Sequence, residues 1–574
     1  MSTGEEKITT YPMRRAFLLG VIGVAVFGLL WRAVDLHVLD RDFLQHQGDA
    51  RSMRVVTVAA HRGMITDRHG EPLAISTPVD SVWANPQELA GARARWPQLA
   101  RVLKMDLARL QDLVGQRQDR EFIYLRRQLN PDWARQVMAL GIPGVSLQRE
   151  YRRYYPTAEV TAHVVGFTNV DDAGQEGAEL MYDDWLRGTP GSKRVIKDRL
   201  GRTVENVERI AQARPGHDLR LSIDRRIQYL AYRELKSAVQ RNRAKSGSAV
   251  VLDARTGEVL AMVNQPSYNP NNRRDLRSNR YRNRAVTDLF EPGSTMKPFT
   301  IAAALSSGKY HPDTAIDTSP GWYRLAGNTI RDARDYGLID VARGIKKSSN
   351  VGASRIALSL DSKLLWRTYK GVGFGITTGS GFPGEASGLL PNYTQWSRIE
   401  QATLAYGYGL SVTPLQLAQA FAVLADDGRL HPVTFQARDP DAGPDKGMQI
   451  LDPAVVRQVR HMLEGVVQRG GTGTRAAIPG YRVAGKTGTV RKASDGGYSE
   501  EHYMAIFAGM APASRPRLVM VVVVNDPGAG KYYGGLVAAP VFAHVMAGAL
   551  RLLDVPPDDL PSLGTRVALL EDTQ

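Results

Sequence analysis

The chain of 574 residues contains no cysteine. That excludes disulfide staples, thiolate metal sites and a cysteine nucleophile. It suits an oxidising compartment without requiring one. The 11 histidines are scattered, and none lies beside a second candidate ligand or a Gly-x-Ser-x-Gly elbow. Neither a metal centre nor a Ser-His-Asp triad is therefore read, and no metal or cofactor is called for. Charge is missing altogether from Ala16 to Trp31. Elsewhere the balance is basic, formally +16, but the basic residues are spread out, as from Arg101 to Arg127 and from Arg273 to Arg284. No nucleic-acid motif surrounds them, so nucleic acid is set aside as a partner. An anionic surface, lipid headgroup or acidic polymer, fits better.

What is present begins with that uncharged run. Lys7, Arg14 and Arg15 precede it, and its apolar character continues through Val34, Leu36, Val38 and Leu39 past Arg32 and Asp35. The run is long enough to cross a bilayer near the lower limit of length. The basic flank places residues 1–15 in the cytoplasm and everything beyond 39 outside it. No small-x-small site closes the run and Trp31-Arg32 follows it, so an uncleaved anchor over 16–39 is expected rather than a signal peptide. Length then allows two to four domains. Residues 50–216 read as mixed strands and helices without a catalytic constellation, with helical periodicity from Leu99 to Val114 and from Trp133 to Leu140. Pro215-Gly216 marks a boundary. Residues 217–556 put strands at both ends (Ser248–Asp253, Val259–Asn264, then 481–490, 504–511 and 517–525) around a helical middle. That order predicts an α+β fold in which one antiparallel sheet has helices on both faces. The tail 557–574 is expected to be mobile.

The middle of the chain holds the chemistry. Pro292-Gly293 breaks the chain ahead of an apolar helical run, so Ser294 is expected at the helix start as a cap, with Pro298 in the first turn. Lys297, three residues on, shares a face with Ser294. A serine hydroxyl needs a base to become a nucleophile, and a lysine serves only when burial or nearby positive charge lowers its pKa. Ser-x-x-Lys alone is weak, since composition gives about two in a chain of this length, and it recurs at Ser306–Lys309. Ser-x-Asn occurs at Ser348-Ser349-Asn350 and at Ser267–Asn269; Lys-Thr/Ser-Gly occurs at Lys486-Thr487-Gly488 and at Lys245–Gly247. Only Ser294–Lys297, then Ser348–Asn350, then Lys486–Gly488 fall in order, each in a suitable local setting.

Each part has a chemical role. Ser348 supplies a hydroxyl that relays a proton to a leaving amine, and Asn350 donates an amide hydrogen bond to a peptide substrate. Lys486 offers fixed positive charge to a substrate carboxylate and depresses the pKa of Lys297. Gly488, in a strand with Gly485, lets a substrate backbone approach. Thr487 and Thr489 place hydroxyls on one strand face. The N–H groups of Ser294 and Thr489 form an oxyanion hole, a contribution of about 3 kcal/mol per donor in such sites.

With these motifs placed, the sequence resembles the class B penicillin-binding proteins over nearly its whole length. The septal, FtsI-type transpeptidases of Gram-negative bacteria match best. The resemblance is carried by Arg62-Gly63-Met64-Ile65-Thr66-Asp67-Arg68, by Ser294–Lys297, by Lys347–Gly352 and by Gly485–Thr489. The stretches 406–416, 532–535 and 539–542 also carry it, with Val555–Pro561 of septal rather than elongation type. It implies a single-pass inner-membrane protein with a periplasmic, dimerisation-type pedestal over 50–216 and a penicillin-binding transpeptidase domain over 217–556. It implies D-Ala-D-Ala stem peptides of peptidoglycan as donors, an acyl-serine intermediate, β-lactams as suicide analogues, and a division complex with an FtsW-type glycosyltransferase. On this resemblance Lys297 takes the Ser294 proton, and Lys486, Thr487 and Thr489 hold the terminal carboxylate. Tyr406, Tyr408, Tyr532 and Tyr533 are wall residues or simply core, and Arg491 contacts a ligand carboxylate. A D,D-carboxypeptidase, an elongation-type member, and a catalytically weak scaffold or β-lactam sensor stay open as alternatives. No glycosyltransferase module accompanies the motifs.

Overall fold

The computed structural model describes residues 12–39, 53–197 and 203–560, apart from 273, 275, 440, 442, 444, 445, 495 and 496. The expectations for 1–11 and for the tail beyond 560 lie outside the described residues. Among the described residues, one helix, Pro12–Leu39, is long and apolar enough to cross a membrane. It begins four residues earlier than the uncharged run, at Pro12, a residue tolerated in a first turn. Beyond Val34 it continues as a π-helical turn, Asp35–Leu39.

The chain forms two compact units. The smaller comprises residues 1–60, 78–151 and 189–214. Its core gathers Val82, Leu89, Trp96, Leu99, Leu103, Leu110, Val114, Ile123 and Val137. The periodicity from Leu99 to Val114 resolves into two helices, Trp96–Leu103 and Leu107–Gly115. Lys104 turns left-handed at the first helix's end, and the Asp106 side chain caps the second by accepting from the Ala108 N–H. The strands Met53–Val58, Gly191–Lys197 and Thr203–Ala211 form a separate antiparallel sheet.

The larger unit comprises residues 61–77, 152–188 and 215–574. Two of its segments thus lie N-terminal to the boundary at 216, and a buried ion cluster explains their placement. The Arg62 guanidinium, 1% exposed, donates to Glu179 at 2.7 Å and to Asp183 at 2.7 Å. Arg153 donates to the other oxygen of Glu179 at 2.6 Å. A buried carboxylate of this kind persists only when it is paired and hydrogen-bonded. The Arg62–Arg68 motif therefore does structural work here, at a distance from Ser294 in sequence and with different partners.

The main sheet of this unit is antiparallel. Its elements, in chain order, are helix α1 (Arg225–Arg241), strands β1 (Ser246–Asp253) and β2 (Val259–Gln265), helices α2 (Lys297–Ser306), α3 (Val341–Lys347), α4 (Asn350–Leu358), α5 (Pro414–Ala425) and α6 (Pro453–Val467), strands β3 (Ala484–Ser494), β4 (Gly497–Ala511) and β5 (Leu518–Asn525), and helix α7 (Ala539–Leu552). The strand order is β2-β1-β5-β4-β3, so β3 is an edge. Alternation along β5 divides the core: Val519, Val521 and Val523 join one apolar cluster, while Leu518, Met520, Val522 and Val524 join the other. α1 and α7 cover the second face and α5 packs on the first. Every residue of α5 is buried, and Thr413 and Gln416 close a capping box at its start. Helices on both faces of an antiparallel sheet agree with the α+β expectation. The middle differs from its helical reading, because two small hairpins lie within it, Ala315–Asp317 with Leu338–Asp340 and Trp322–Leu325 with Asn328–Arg331. Gly321, Gly327 and Gly337, all at positive φ, turn these short strands.

Candidate active site

Ser294 lies in a 3₁₀ turn, Gly293–Met296, ahead of α2, and neither the turn nor the helix has a side-chain cap. The expected capping role is therefore corrected. The hydroxyl is engaged instead by Lys297 Nζ, at 2.8 Å. The turn is fixed from below: Thr295 Oγ1 donates to the Pro292 carbonyl at 2.7 Å, and the Gly293 N–H donates to the Gly407 carbonyl at 3.0 Å. Gly407 has φ +87°, and a Cβ there would lie 2.1 Å from the Gly293 carbonyl oxygen. This explains the glycine between Tyr406 and Tyr408, since only a residue without a side chain lets the two loops touch.

Lys297 is 1% exposed. Its Nζ lies 2.7 Å from the Ser348 carbonyl, 2.8 Å from Asn350 Oδ1 and 3.1 Å from Ser348 Oγ, besides Ser294. The carbonyl and Oδ1 can only accept, and Asn350 Nδ2 donates to the Arg331 carbonyl at 3.0 Å, which orients the amide. A neutral amine has two N–H bonds. Both are claimed by these acceptors, so its lone pair is left for a hydroxyl proton. Burial pushes Lys297 well below the ordinary lysine value, the charge of Lys486 pushes it further, and Asp332 partly opposes them. Lys486 is fully buried, and burial brings it down to about 7. Its Nζ donates to Ser348 Oγ at 3.0 Å and to the Thr487 carbonyl at 3.1 Å.

Ser348 therefore touches both lysines. It adopts the left-handed conformation (φ 61°, ψ 40°) at the end of α3, and Ser349 starts α4 by accepting from the Gly352 N–H at 2.8 Å. Ser349, rather than Ser348, is thus the helix cap. Asp332, which sequence reading missed, braces this junction. It accepts from Ser349 Oγ at 2.5 Å, from the Asn350 N–H and from the Val351 N–H at 3.0 Å. No local pattern marks it, because the short strand it follows lies in a stretch that reads as helical.

Thr487 Oγ1 pairs with Thr472 Oγ1 at 2.7 Å, and Thr489 Oγ1 accepts from the Gly534 N–H at 3.0 Å. A Cβ on Gly534 would meet the Gly488 carbonyl at 2.3 Å, so the loop carrying Tyr532 and Tyr533 presses against the motif strand. These two rings stack on each other, and Tyr532 stacks on Tyr503. Tyr406 is half-buried against the core, while Tyr408 packs edge-on to both Tyr406 and Tyr498. Arg491 is half exposed, with Glu500 at 4.0 Å. Of the rival motifs, Ser306 ends α2 and Lys309 turns to the Ser359 carbonyl.

A half-buried serine bonded to a buried lysine, and joined through a second serine to a second buried lysine beside the edge strand β3, is an arrangement chemically able to transfer an acyl group with an amine as the base. Residues 247–547 match the model of the penicillin-binding protein transpeptidase domain, and residues 57–221 match that of the penicillin-binding protein dimerisation domain. The chain is 47% identical to the peptidoglycan D,D-transpeptidase FtsI of Escherichia coli K12, covering 97% of this chain and 94% of that one. It is 44% identical to the probable peptidoglycan D,D-transpeptidase PbpC of Pseudomonas aeruginosa, covering 92% and 93%. The transpeptidase domain of penicillin-binding protein 3 from Burkholderia pseudomallei superposes with a TM-score of 0.55 at 45% identity, over 59% of this chain and 98% of that one. The chain belongs to the class B penicillin-binding proteins, in the FtsI group.

Proposed function

We propose that the chain is a serine D,D-transpeptidase that cross-links peptidoglycan stem peptides during septum formation. The observation that carries this is the hydrogen-bonded path Ser294–Lys297–Ser348–Lys486. Ser294 Oγ attacks the carbonyl of the penultimate D-alanine while its proton moves to the Lys297 lone pair. The N–H groups of Ser294 and Thr489 receive the developing oxyanion. Lys486, Thr487 and Thr489 hold the terminal carboxylate. The C–N bond breaks, and Ser348 passes a proton from Lys297 to the departing D-alanine amine. A neighbouring stem peptide's amine then attacks the acyl-serine ester, forms the amide and returns the proton to Ser294. Asn350 orients the donor amide, and the tyrosines 406, 408, 532 and 533 wall the cleft. A β-lactam enters the same path and remains as the ester.

The basic flank and the apolar helix support a single-pass anchor in the inner membrane, with residues 1–15 cytoplasmic, a pedestal over 50–216 and the catalytic domain, 217–556, in the periplasm. The FtsI relationship supports a division complex with an FtsW-type glycosyltransferase as its setting.

The test is acylation of the full chain in detergent micelles by a fluorescent penicillin, wild type against Ser294→Ala, read by intact mass. A covalent adduct on the wild type that is absent from the variant is expected. A folded wild type that forms no adduct refutes the reading. Released D-alanine without a cross-linked product, when an acceptor amine is supplied, would favour the carboxypeptidase alternative.

A further inference from the structure

On the face of the main sheet opposite α5, helices α1 and α7 border a cleft of about 760 Å³ that no step above uses. Its third wall is the 3₁₀ turn Ala158–Val160, held to α1 by the Gln228 amide, which donates to the Val160 carbonyl at 2.8 Å. The two helices meet at Gly548, where a Cβ would lie 2.6 Å from Leu230 Cδ1. Val160, Leu230, Leu552 and the ring of Tyr229 give the cleft an apolar lining, and Tyr229 is 52% exposed. Apolar surface gathered in a concavity marks a docking site, whereas isolated exposed apolar residues do not.

The rim is basic, with Arg225, Arg226 and Arg551. Arg225 has Glu71 at 3.2 Å and Arg226 has Asp224 at 2.8 Å. Arg551 is held only by its own helix, its Nε donating to the Ala547 carbonyl at 3.2 Å, and it enters no ion pair among the described residues. The occupant that fits such a cleft is an apolar run followed closely by acids.

The chain itself carries one. Beyond Leu560 the sequence runs Pro561 to Arg566, then Val567-Ala568-Leu569-Leu570, then Glu571-Asp572. The residues leading to it are tied down past the end of α7 at Leu552, which lines the cleft. The Val555 carbonyl accepts from the Tyr481 hydroxyl at 2.7 Å, Asp558 Oδ1 accepts from the Arg482 N–H at 2.7 Å, and the Asp559 N–H donates to the Gly480 carbonyl at 3.1 Å. Leu552 and Leu560 are eight positions apart, hence separated by at most about 28 Å. Leu570 is ten positions beyond Leu560 and reaches about 35 Å when extended. The apolar run can therefore return to the cleft whatever course the chain takes between. The tether presents it there at about millimolar effective concentration, so weak contacts suffice to hold it.

We infer that this cleft is the docking site of the chain's own segment 567–572. Val567, Leu569 and Leu570 lie on Tyr229, Leu230 and Leu552, and Glu571 and Asp572 meet Arg551. Docking replaces the mobility expected of the tail from its position alone. It is independent of the acyl transfer, because the cleft is built on the other face of the sheet from α5.

The absence of cysteine lets a disulfide report the docking. The full chain in detergent micelles carries Thr573→Cys together with either Thr157→Cys, in the cleft lining, or Leu389→Cys, exposed beside Ser411 just ahead of α5. After mild oxidation, peptide mass is expected to show an intramolecular disulfide from Thr157→Cys in about tenfold excess over that from Leu389→Cys. Leu569→Asp with Leu570→Asp is expected to remove the excess. Arg551→Glu is expected to reduce it, and adding Glu571→Arg and Asp572→Arg to restore it, a rescue that damage to the fold does not produce. Mixing with isotope-labelled chains separates disulfides within one molecule from those between two. Equal yields from the two positions overturn the docking. A disulfide that forms only between molecules also overturns it, and makes the cleft a contact between copies of the chain.

Discussion

Lys297 and Lys486 share one hydroxyl: Ser348 Oγ lies 3.1 Å from the first Nζ and 3.0 Å from the second. Two buried amines so linked cannot both be fully charged without repelling each other in a poorly screened interior. In the proposed mechanism Ser348 passes a proton between the nucleophile's base and the leaving group. Ser348→Ala is expected to lower the penicillin acylation rate by about 10²–10⁴, the range for losing one proton-transfer partner. Tm is expected to change little, since alanine leaves the backbone of the junction intact. Stopped-flow acylation on the purified chain checks this; a loss below tenfold would place the relay elsewhere.

The two lysines must hold opposite states, and this fixes the sign of the pH profile. Lys297 works as a base only when neutral, so acylation is lost as pH falls and it takes up a proton. Lys486 works only as a cation and titrates near about 7, so acylation is lost as pH rises past that value. A bell-shaped kcat/KM is expected, with its alkaline limb near pH 7. Arginine keeps its charge at any such pH, so whatever activity Lys486→Arg retains is expected to lack the alkaline limb. A wild-type rate still climbing through about pH 8 is inconsistent with these assignments.

Lys486 also bears on stability. Its folded pKa, about 7, lies below the 10.5 of an ordinary lysine, so between those values the unfolded chain binds more protons. Stability is therefore expected to rise with pH across that window, by up to about 1.4 kcal/mol per pH unit for this one group. Below it the whole destabilisation is present. Lys486→Met is expected to abolish acylation and to raise the Tm at neutral pH, as thermal unfolding at two pH values will show.

Asp332 braces the Ser348–Asn350 junction with three accepted hydrogen bonds. Asp332→Asn keeps the shape but weakens the acceptor for two backbone N–H groups. It is expected to destabilise by about 1–3 kcal/mol and to slow acylation about tenfold or more by letting Asn350 and Lys297 drift. A variant that acylates at the wild-type rate would mean that the brace is dispensable.

The cluster of Ser294, Lys297, Ser348 and Lys486 was legible because spacing encodes it. Lys297 sits one turn from Ser294, and Lys486 precedes a glycine in a strand. What the spacing left out are residues whose partners are distant. Asp332 reaches Asn350 across 18 positions and depends on a hairpin hidden in an apparently helical stretch. Glu291 meets Tyr498 across 207 positions. Local pattern also misplaced the cap: Ser294 follows a chain break and looked like a helix start, but a 3₁₀ turn intervenes and frees its hydroxyl. The sheet was visible for the opposite reason, since alternation and unbroken valine runs report burial directly.

The ion cluster at Arg62 sets an order of events. Arg62 cannot neutralise Glu179 until another 117 positions of chain exist, and the Ser222 hydroxyl reaches the Thr434 carbonyl across 212. Segments synthesised first are completed by segments synthesised last. Folding of this unit therefore depends on contacts of high sequence separation, and its first segments stay unpaired until much of the chain has been made.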